Sequence, residues 1–367
     1  MKHDIQTVCA AFDVEGSYVS GGPYGTGHIN DTYAVTFDQA QGPKRYILQR
    51  INHDVFKNPV QVMENIERVT RHLRNKLTVA RADDIDRRTL TLLPTREGLP
   101  FHVDADGNHW RLYIFIEQAQ TYDELETTDQ AFQAAKAFGH FMKQLADLPG
   151  GPLAETIPGF HDTRARFDTL QAAIEADVCN RAAEVADEIA FANARESMVD
   201  TLLDLHRSGK IPLVTTHNDT KLNNVMLDDA TGEGICVIDL DTVMPGLSLY
   251  DFGDMVRTAM RPCPEDETDL SKVVGRIEMF EAITRGYLAS AGDALNATEI
   301  ENLAFSARLI TFEIGIRFLT DYLQGDVYFK THRDRQNLDR THVQFKMVAS
   351  MEQQADAMAQ VVAMATA

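Results

Sequence analysis

The chain has 367 residues, of which 25% are charged and 44% are hydrophobic, and its formal net charge at pH 7 is −20. A chain of this length can bury a large core and usually folds as two lobes or domains. Its acidity and its lack of clustered Lys and Arg argue against binding to nucleic acid or to an anionic membrane surface.

The N-terminal segment MKHDIQTVCAAF lacks a basic region followed by an apolar stretch, so it does not predict a secretory signal. No uninterrupted apolar run approaches the roughly 20 residues that cross a bilayer. The four cysteines, from Cys9 to Cys263, are too scattered for a paired metal site or a dense disulfide framework. These features predict a cytoplasmic protein that is neither secreted nor membrane-spanning.

The first 117 residues mainly predict strands. Short apolar or alternating segments are separated by glycine turns and by sequences such as DADGN, a pattern typical of an antiparallel sheet. The five strand candidates are YVSGGPY, NDTYAVTF, KRYILQRI, TLTLLP and HWRLYIFIE. Between the third and the fourth, NPVQVMENIERVTRHLRNKL has apolar residues at helical spacing, and Asn58 before Pro59 marks a helix start. We therefore predict a five-stranded sheet interrupted by one helix.

After Glu117 the pattern changes to long amphipathic helices. These are predicted in the segments DQAFQAAKAFGHFMKQLADL, ARFDTLQAAIEAD, LSKVVGRIEMFEAITRGYLASA, ATEIENLAFSARLITFEIGIRFLTDYLQGD and THVQFKMVASMEQQADAMAQVVAMA. Three strand-like stretches, IPLVTTHND, NNVMLDD and GICVIDLD, are the exception within this helical part. The order of elements predicts an α+β, bilobal, protein-kinase-like fold. We expect a nucleotide-binding lobe over residues 1–117 and a catalytic and substrate-binding lobe over 118–367, with a hinge near FIEQAQ.

One segment of the helical part, residues 216–241, has the spacing of a kinase catalytic loop. In protein kinases a His precedes an Asp that accepts the proton of the acceptor hydroxyl, and a later Asn and Asp hold metal ions. Here those positions are His217, Asp219, Asn224 and Asp239. Lys221 could neutralise charge on the transferred phosphoryl group. Phosphoryl transfer depends largely on positioning and electrostatics, so carboxylates fixed around Mg²⁺ explain the polar residues at these strand ends.

Taken singly, each of these residues could simply stabilise a turn or end a strand, because turns formed by Asp and Asn are common. Five positions in register ahead of a hairpin favour the catalytic interpretation. Downstream, Asp251 is placed to accept hydrogen bonds from the backbone of the catalytic loop. Asp254 could do the same, and either residue could instead cap a helix that begins near Phe252.

The segment GGPYGTGHINDTY, between two strand candidates, supplies glycines for a nucleotide site. Gly25 and Gly27 would let backbone amides approach phosphate groups without a Cβ in the way. Hairpin turns need glycine for other reasons, so the segment gains weight only from its place ahead of the catalytic loop. The hinge backbone at Phe115 and Glu117 is the other expected nucleotide contact, and its geometry decides between ATP and GTP.

The third strand lacks the lysine that holds nucleotide phosphates in kinases. In KRYILQRIN the inward position is Gln49, whose amide can bind a phosphate oxygen but carries no charge. The missing charge would come from Mg²⁺, Lys221 or Arg50, and Glu67 on the predicted helix is the candidate partner, unless it is merely a solvated glutamate. The missing lysine also supports a rival hypothesis, a non-catalytic nucleotide-binding pseudokinase. The intact Asp219, Asn224 and Asp239 argue against it.

At these motifs the sequence resembles a known family. HNDTKLNNVMLD, VIDLDTVMPG, YDFGDMVR, PYGTGHINDTY and RFLTDYLQGDVYF are similar to the N-acetylhexosamine 1-kinases of the aminoglycoside phosphotransferase and choline kinase superfamily. The similarity extends through nearly the whole chain and includes the glutamine of YILQ. It implies ATP- and Mg²⁺-dependent phosphorylation of the anomeric hydroxyl of N-acetylglucosamine or N-acetylgalactosamine. Asp219 is then the general base, and Asn224 and Asp239 are metal ligands.

The same resemblance implies a sugar pocket formed by His28, Lys221, Arg317 and Tyr328. Arg317 also stands out independently, because it interrupts the apolar run LITFEIGIRFL, where a buried guanidinium needs a partner. Glu313 could be that partner, and an ordinary helix ion pair is the alternative. For His28 the alternative is a solvated loop histidine. For Tyr328 it is a tyrosine that only packs against its neighbours.

The catalytic loop alone does not fix the phosphoryl acceptor. An acidic protein could attract cationic aminoglycosides or choline, which makes a kinase of such compounds the runner-up. A cation pocket would require clustered carboxylates or an aromatic cage near Asp219. Lys221 and Arg317 instead suit a neutral sugar with hydroxyl and amide groups. The sequence indicates neither the preferred epimer nor an oligomeric state.

Overall fold

The computed structural model describes residues 3–25, 29–122, 124 and 126–366. Gly27 and His28, two of the predicted site residues, lie outside the described residues. The N-terminal part contains an antiparallel sheet of five strands in the order β1-β2-β3-β5-β4. These strands are β1 (Ser17–Pro23), β2 (Asp31–Gln39), β3 (Gly42–Arg50), β4 (His102–Val103) and β5 (His109–Ile114).

Alternation along the central strands places their apolar side chains on one face of the sheet. Tyr33, Val35 and Phe37 of β2 pack with Leu48 of β3 and Trp110 of β5 in a compact cluster. Residues that lie opposite each other on neighbouring antiparallel strands share a face. Thr32, Gln49 and Arg111 are opposite one another across β2, β3 and β5. The register of the sheet therefore brings Arg111 beside the position where a kinase lysine was expected.

Three helices accompany the sheet: α1 (Ile5–Cys9), α2 (Pro59–Val79) and α3 (Ile85–Arg88). The predicted helix is α2, and Asn58 caps its start by accepting a hydrogen bond from the amide of Gln61 at 3.3 Å. The apolar face of α2 is buried, as its spacing predicts. The two short helices were not predicted.

One strand prediction was wrong. TLTLLP, residues 89–94, contributes only an isolated bridge between Leu92 and Tyr113, and the remaining strand of the sheet is β4. The segment does follow β5 briefly, because the amide of Leu93 donates to the carbonyl of Leu112 at 2.8 Å. Pro94 then offers no N–H for a ladder, and the chain turns away as Thr95 bonds to Leu99.

The C-terminal part is larger and mainly helical. Its helices are α4 (Thr128–Leu145), α5 (Thr163–Ala176), α6 (Ala186–Asn193), α7 (Thr201–Arg207), α8 (Ser248–Ala259), α9 (Ile277–Ala291), α10 (Ala297–Glu301), α11 (Leu303–Gln324), α12 (Gln336–Gln353) and α13 (Ala355–Ala365). Each of the last two predicted helical segments contains two helices, which meet at Asn302 and at Gln354. No helix in the described part of the chain is long and apolar enough to cross a membrane.

Short strands in the helical part carry the polar segment that the sequence singled out. They are β6 (Ala119–Gln120), β7 (Val214–Thr216), β8 (Val225–Asp228), β9 (Gly234–Val237) and β10 (Met244–Gly246). β8 and β9 form the predicted hairpin, and β10 returns to pair with β7. Both ends of the catalytic segment are thus fixed by strand pairing.

Helices α4 and α9 cross closely beneath this segment. A Cβ at Gly286 of α9 would lie only 2.2 Å from the carbonyl oxygen of Phe132 in α4, so the crossing requires glycine there. The same helix α4 presents Phe138 and Phe141 to the ring of His217. The packing of the helical core therefore extends directly to the first residue of the catalytic loop.

Candidate active site

The side chain of His217 joins the catalytic loop to the strand that precedes Asp239. Its Nε2 lies 2.9 Å from the carbonyl oxygen of Ile238, and its Nδ1 lies 3.3 Å from the amide nitrogen of Asp219. A carbonyl only accepts and an amide only donates, so the hydrogen must reside on Nε2. His217 thus fixes the two segments that carry the candidate base and the candidate metal ligand.

Asp251, in the first turn of α8, binds the backbone of the catalytic loop. Its two carboxylate oxygens accept hydrogen bonds from the amides of His217 and Asn218 at 2.9 and 2.7 Å. Burial raises the pKa of Asp251 to about 6, although the two N–H donors oppose this shift. Asp254 does not contact the loop in this way, because its carboxylate pairs with Arg257 at 2.8 Å. Helix α8 begins four residues before the expected Phe252, at Ser248.

Asp219 lies at the centre of the loop between a cation and an amide. Lys221 Nζ is 3.0 Å from Asp219 Oδ1, and Asn224 Nδ2 is 2.9 Å from the backbone oxygen of Asp219. Burial alone would raise the pKa of Asp219, but the charge of Lys221 outweighs it and the pKa is lowered. The structure therefore keeps this carboxylate ionised and able to accept a proton.

Asn224 and Asp239 are brought together by the hairpin. The amide of Ile238 donates to the carbonyl of Asn224 at 2.9 Å, and Asp239 is the residue that follows Ile238. Asn218 and Asp239 both adopt left-handed backbone conformations, with φ of 64° and 57°. Such conformations are costly for residues other than glycine and persist where the surroundings impose them, often at functional sites.

The electrostatics at Asp239 favour a cation. Desolvation by the surrounding protein and the nearby carboxylates of Asp241 and Asp219 raise the pKa of Asp239, but the side chain itself is exposed to solvent, which screens part of this repulsion. The described residues contain no group of three or more His, Cys, Asp or Glu side chains that could hold a metal alone. One carboxylate and one amide oxygen do fit Mg²⁺, which usually completes its six ligands with phosphate oxygens and water.

On the nucleotide side, Gly25 and Gln49 are described and Gly27 is not. Gly25 has a φ of 79°, and among the described residues no atom lies within 4 Å of a Cβ added there. Gln49 Oε1 accepts a hydrogen bond from Arg111 Nε at 3.0 Å, and Gln49 Nε2 donates to Thr32 at 3.0 Å. The side chain of Gln49 is therefore held by protein groups on both ends.

The expected pairing of Glu67 with the third strand is not present. Glu67 is a half-exposed helix residue that pairs with Arg71 at 3.3 Å, which is the alternative considered from the sequence. Arg50, considered as a source of charge, pairs with Asp31 at 2.6 Å. The buried cation beside Gln49 is Arg111.

The hinge is fixed by two arginines. Arg87 donates to the backbone oxygens of Glu117 and Gln118 at 3.0 and 2.9 Å and pairs with Asp228 at 2.7 Å. The guanidinium of Arg45 lies 3.7 Å from the centroid of the Phe115 ring and pairs with the carboxylate of Glu117. Phe115 and Glu117 thus lie in a segment between the sheet and the helical part whose backbone and side chains are bound by these two arginines.

Arg317 and Tyr328 come together on the acceptor side. The guanidinium of Arg317 lies 6.0 Å from the centroid of the Tyr328 ring, and similar distances separate it from Phe160 and Phe329. Tyr328 is 63% exposed, so its face is accessible to a ligand. His28, the third of these predicted substrate residues, lies outside the described part of the chain.

Glu313, proposed from sequence as the partner of Arg317, binds other residues. Its carboxylate contacts His161 Nδ1 at 2.8 Å and Thr163 Oγ1 at 2.6 Å, and all three side chains are buried. His161 Nε2 in turn contacts the carbonyl oxygen of Asn218 at 3.0 Å. This chain of contacts connects α11, which carries Arg317, to the residue that precedes Asp219.

A cavity of about 270 Å³ lies beside Lys221. Its charged lining comprises Lys221, Arg257, Arg261, Arg276, Glu124, Glu126 and Glu265. Arg257 is engaged by Asp254 and by Glu265, the latter at 3.0 Å, and Arg261 lies 3.5 Å from the same glutamate. Arg317 and Tyr328 are not among the lining residues of this cavity. The surroundings of Lys221 therefore contain several guanidinium groups in a protein that is acidic overall.

A family comparison identifies this arrangement. The model of the phosphotransferase enzyme family, APH, matches residues 21–289, which include the glycine turn, the catalytic loop and Asp251. The chain belongs to the phosphotransferase enzyme family. Arg317 and Tyr328 lie beyond the matched residues.

Solved structures of other phosphotransferases share the fold over nearly the whole chain. A microcompartment-associated aminopropanol kinase has a TM-score of 0.62 at 19% identity, with 97% of this chain and 98% of that chain covered. Spectinomycin phosphotransferase, solved with ADP and spectinomycin, has a TM-score of 0.58 at 14% identity over 95% and 97%. Choline kinase from Cryptosporidium parvum has a TM-score of 0.55 at 15% identity over 96% of each. At these identities the similarity establishes the kinase-like fold alone.

Three residues that contact the candidate site were missed from sequence: Arg111, Asp241 and His161. Arg111 lies within the strand segment HWRLYIFIE, where a charged residue among apolar neighbours could have marked it. Asp241 ends the strand-like stretch GICVIDLD, whose pattern does not indicate its partner. His161 lies in a loop and offers no pattern that connects it to Glu313.

Proposed function

We propose that the protein transfers the γ-phosphoryl group of ATP to the anomeric hydroxyl of an N-acetylhexosamine, with Asp219 as the base. The observation that carries the proposal is Asp219 itself, an ionised carboxylate held between Lys221 and Asn224 at the base of the cleft. The resemblance of the catalytic-loop and Arg317 motifs to N-acetylhexosamine 1-kinases supplies the acceptor.

Asp219 would accept the proton of the sugar hydroxyl while that oxygen forms a bond to the γ-phosphorus and the bond to ADP breaks. A low pKa is compatible with this role, because in a loose phosphoryl-transfer transition state the proton leaves late and positioning matters most. Lys221 raises the local positive charge near the transferred group. Its own pKa is raised by Asp219, so it remains protonated.

Asn224 and Asp239 would hold Mg²⁺, and Gly25, Phe115 and Glu117 would contact the nucleotide. When bound with ATP, Mg²⁺ supplies neutralisation of the phosphate charge. Residues 1–117 are then the nucleotide-binding lobe and residues 118–367 the catalytic and acceptor-binding lobe. His28, Arg317 and Tyr328 complete the proposed sugar pocket, where an aromatic face and a guanidinium suit a ring with hydroxyl and amide groups.

A kinase of cationic acceptors is the second candidate, and Glu124 and Glu126 at the cavity favour it. The aminopropanol kinase and choline kinase structures share the fold. Against it, Lys221 lines the same cavity and would repel an ammonium group, whereas the charge of Arg257 is already compensated by Asp254 and Glu265.

The test is ADP release from MgATP with N-acetylglucosamine, N-acetylgalactosamine, choline, 1-amino-2-propanol and spectinomycin as separate acceptors. We expect turnover with the N-acetylhexosamines, and a drop of about 10³-fold in kcat for Asp219→Asn because the general base is lost. Turnover only with a cationic acceptor would refute the sugar assignment. Tight MgADP binding without turnover on any acceptor would favour the pseudokinase.

A further inference from the structure

Arg111 is the centre of a buried polar cluster that connects four separate segments around the cleft. We call Arg111, Asp241, Gln49 and Asn30 the Arg111 cluster. Arg111 Nη1 and Nη2 bind the two carboxylate oxygens of Asp241, the second at 3.1 Å, and Arg111 Nε donates to Gln49. Asn30 Nδ2 donates to Asp241 Oδ2 at 2.6 Å. The cluster thus includes β5, β3, the turn after Asp239 and the segment after the glycine turn.

The geometry and burial of this ion pair make it specific. The side chains of Arg111 and Asp241 are only 1% and 3% exposed. A planar guanidinium that meets a carboxylate with two parallel hydrogen bonds defines distance and orientation together, which lysine cannot reproduce. Removing one partner of such a buried pair leaves a charge without compensation.

The contacts of the cluster reach one candidate nucleotide residue, Gln49, and two residues, Asp241 and Asn30, that are close in sequence to candidate site residues. Asp241 is two residues after Asp239 and lies in the same short helical turn, Leu240–Thr242. Asn30 also accepts a hydrogen bond from the amide of Asn52 at 3.0 Å, so the chain after the glycine turn is tied to the end of β3. Gln49 occupies the strand position where a kinase lysine was expected. A single guanidinium therefore orients the glycine side, the strand and the metal side of the cleft.

We infer that Arg111 and Asp241 are a positioning pair that replaces the strand lysine and its helix glutamate. Arg111 supplies the buried positive charge on the sheet side of the cleft. By holding Asp241, Asn30 and Gln49 it fixes Asp239 relative to β3 and β5 for the binding of MgADP. Asp241 acts through Arg111 and not as a metal ligand. This inference rests on the proposed kinase function, but only on the binding of MgADP and not on the identity of the acceptor.

The test measures nucleotide binding alone, so it does not depend on the acceptor. Wild type, Arg111→Gln, Arg111→Lys and Asp241→Asn are titrated with MgADP, and with ADP while Mg²⁺ is varied, by isothermal calorimetry. Arg195→Lys is the matched control, because Arg195 also binds both oxygens of one carboxylate, that of Glu352, in a pair that includes none of the candidate site residues. We expect at least a tenfold loss of MgADP affinity in Arg111→Gln, a smaller loss in Arg111→Lys, and a higher Mg²⁺ concentration for half-maximal ADP binding in both. Arg195→Lys stays within twofold of wild type.

A double variant separates positioning from stability. Arg111→Met with Asp241→Leu removes both charges together, and such replacements of buried ion pairs often leave stability unchanged. We expect this variant to melt close to wild type and still to bind MgADP at least tenfold more weakly. Wild-type affinity in the double variant, or in a folded Arg111→Gln, would overturn the inference. The inference would also be overturned if ADP binding lost its dependence on Mg²⁺ in Asp241→Asn but not in the Arg111 variants, because Asp241 would then be a metal ligand. Failure of wild type to bind MgADP would instead reject the proposed function.

Discussion

The catalytic loop and the nucleotide side of the cleft are stabilised by different kinds of contact. In the loop, side chains bind backbone groups of nearby segments: Asp251 binds two amides, and Thr242 donates to the carbonyl of His217 at 2.8 Å. On the nucleotide side, side chains bind other side chains from distant parts of the chain, as in the pair of Arg111 with Asp241. A loop fixed through its backbone is independent of most neighbouring side chains. A site fixed through side-chain pairs can change which residues form the pair.

This difference would explain how the protein binds nucleotide without the strand lysine, as proposed. A cation on β5 reaches the same region as a cation on β3, because the two strands are adjacent and their residues are in register. Asp219 is held differently, since its backbone oxygen accepts from Asn224 and the amide of the preceding Asn218 donates to Asp251. We therefore expect variants to affect the two regions differently.

The largest effect is expected at His161. Its pair with Glu313 is a contact between two side chains, yet it supports the catalytic loop, so the loop is not held by contacts to its backbone alone. His161→Gln leaves the buried Glu313 carboxylate without its cation, which costs about 3–5 kcal/mol of unfolding free energy. Chemical denaturation measures this loss. The double variant with Glu313→Gln removes both charges and should recover most of the stability, and no recovery would contradict this account.

The loss at His161 should depend on pH. Burial by itself lowers the pKa of His161, but Glu313 outweighs it, so the folded pKa lies above the ordinary 6.5. The pair lowers the pKa of Glu313 below its ordinary 4.5 despite burial. The histidine contribution is complete below pH 6.5 and is lost as pH rises through the folded value, whereas the glutamate contribution is lost as pH falls below 4.5. The deficit of His161→Gln is therefore largest between about pH 4.5 and 6.5.

A smaller effect is expected for Asp251→Asn, which tests the backbone anchoring. The amide NH₂ of asparagine must face an N–H of His217 or Asn218, so one buried hydrogen bond is lost and unfolding free energy falls by about 1–3 kcal/mol. Because the folded pKa is about 6, wild type loses stability as pH rises from 4 to 6, and the deficit is larger at pH 5 than at pH 8. The control is Asp293→Asn, because Asp293 forms an exposed ion pair with Lys143. Equal stability of the two variants at both pH values would contradict this prediction.

The smallest effect is expected for Glu67→Gln, which sharpens the contrast with Arg111. In the described part of the chain, Glu67 pairs with the exposed Arg71 one turn away, and such pairs contribute less than about 0.5 kcal/mol. The affinity for MgADP, measured by calorimetry, should remain within twofold of wild type. A tenfold loss would place Glu67 in the nucleotide site after all, as the sequence first suggested.

The same difference between the regions accounts for what could be predicted from sequence. The fold class, the sheet, helix α2 and the β8–β9 hairpin follow from local periodicity and turn residues, because those patterns report burial within one segment. The arrangement of His217, Asp219, Asn224, Asp239 and Asp251 was also accessible, since one short segment and the helix after it contain all five.

The Arg111 cluster and the His161 pair could not be predicted in this way. Arg111 meets Asp241 across 130 positions, and His161 meets Glu313 across 152. Only the register of the sheet and the packing of α11 bring these residues together. The failure of TLTLLP as a strand has a similar origin, because its apolar composition did not reveal that Pro94 and the bond of Thr95 to Leu99 end its pairing with β5.

Proton-coupled phosphorus NMR of the product formed from MgATP and N-acetylglucosamine or N-acetylgalactosamine tests the central claim most directly. A kinase of the anomeric hydroxyl gives a sugar phosphate whose phosphorus couples to the single anomeric proton, and this product is absent with Asp219→Asn. A phosphate on the primary hydroxyl, coupled to the two protons of a methylene group, or a phosphorylated product from an amino alcohol alone, would contradict the account.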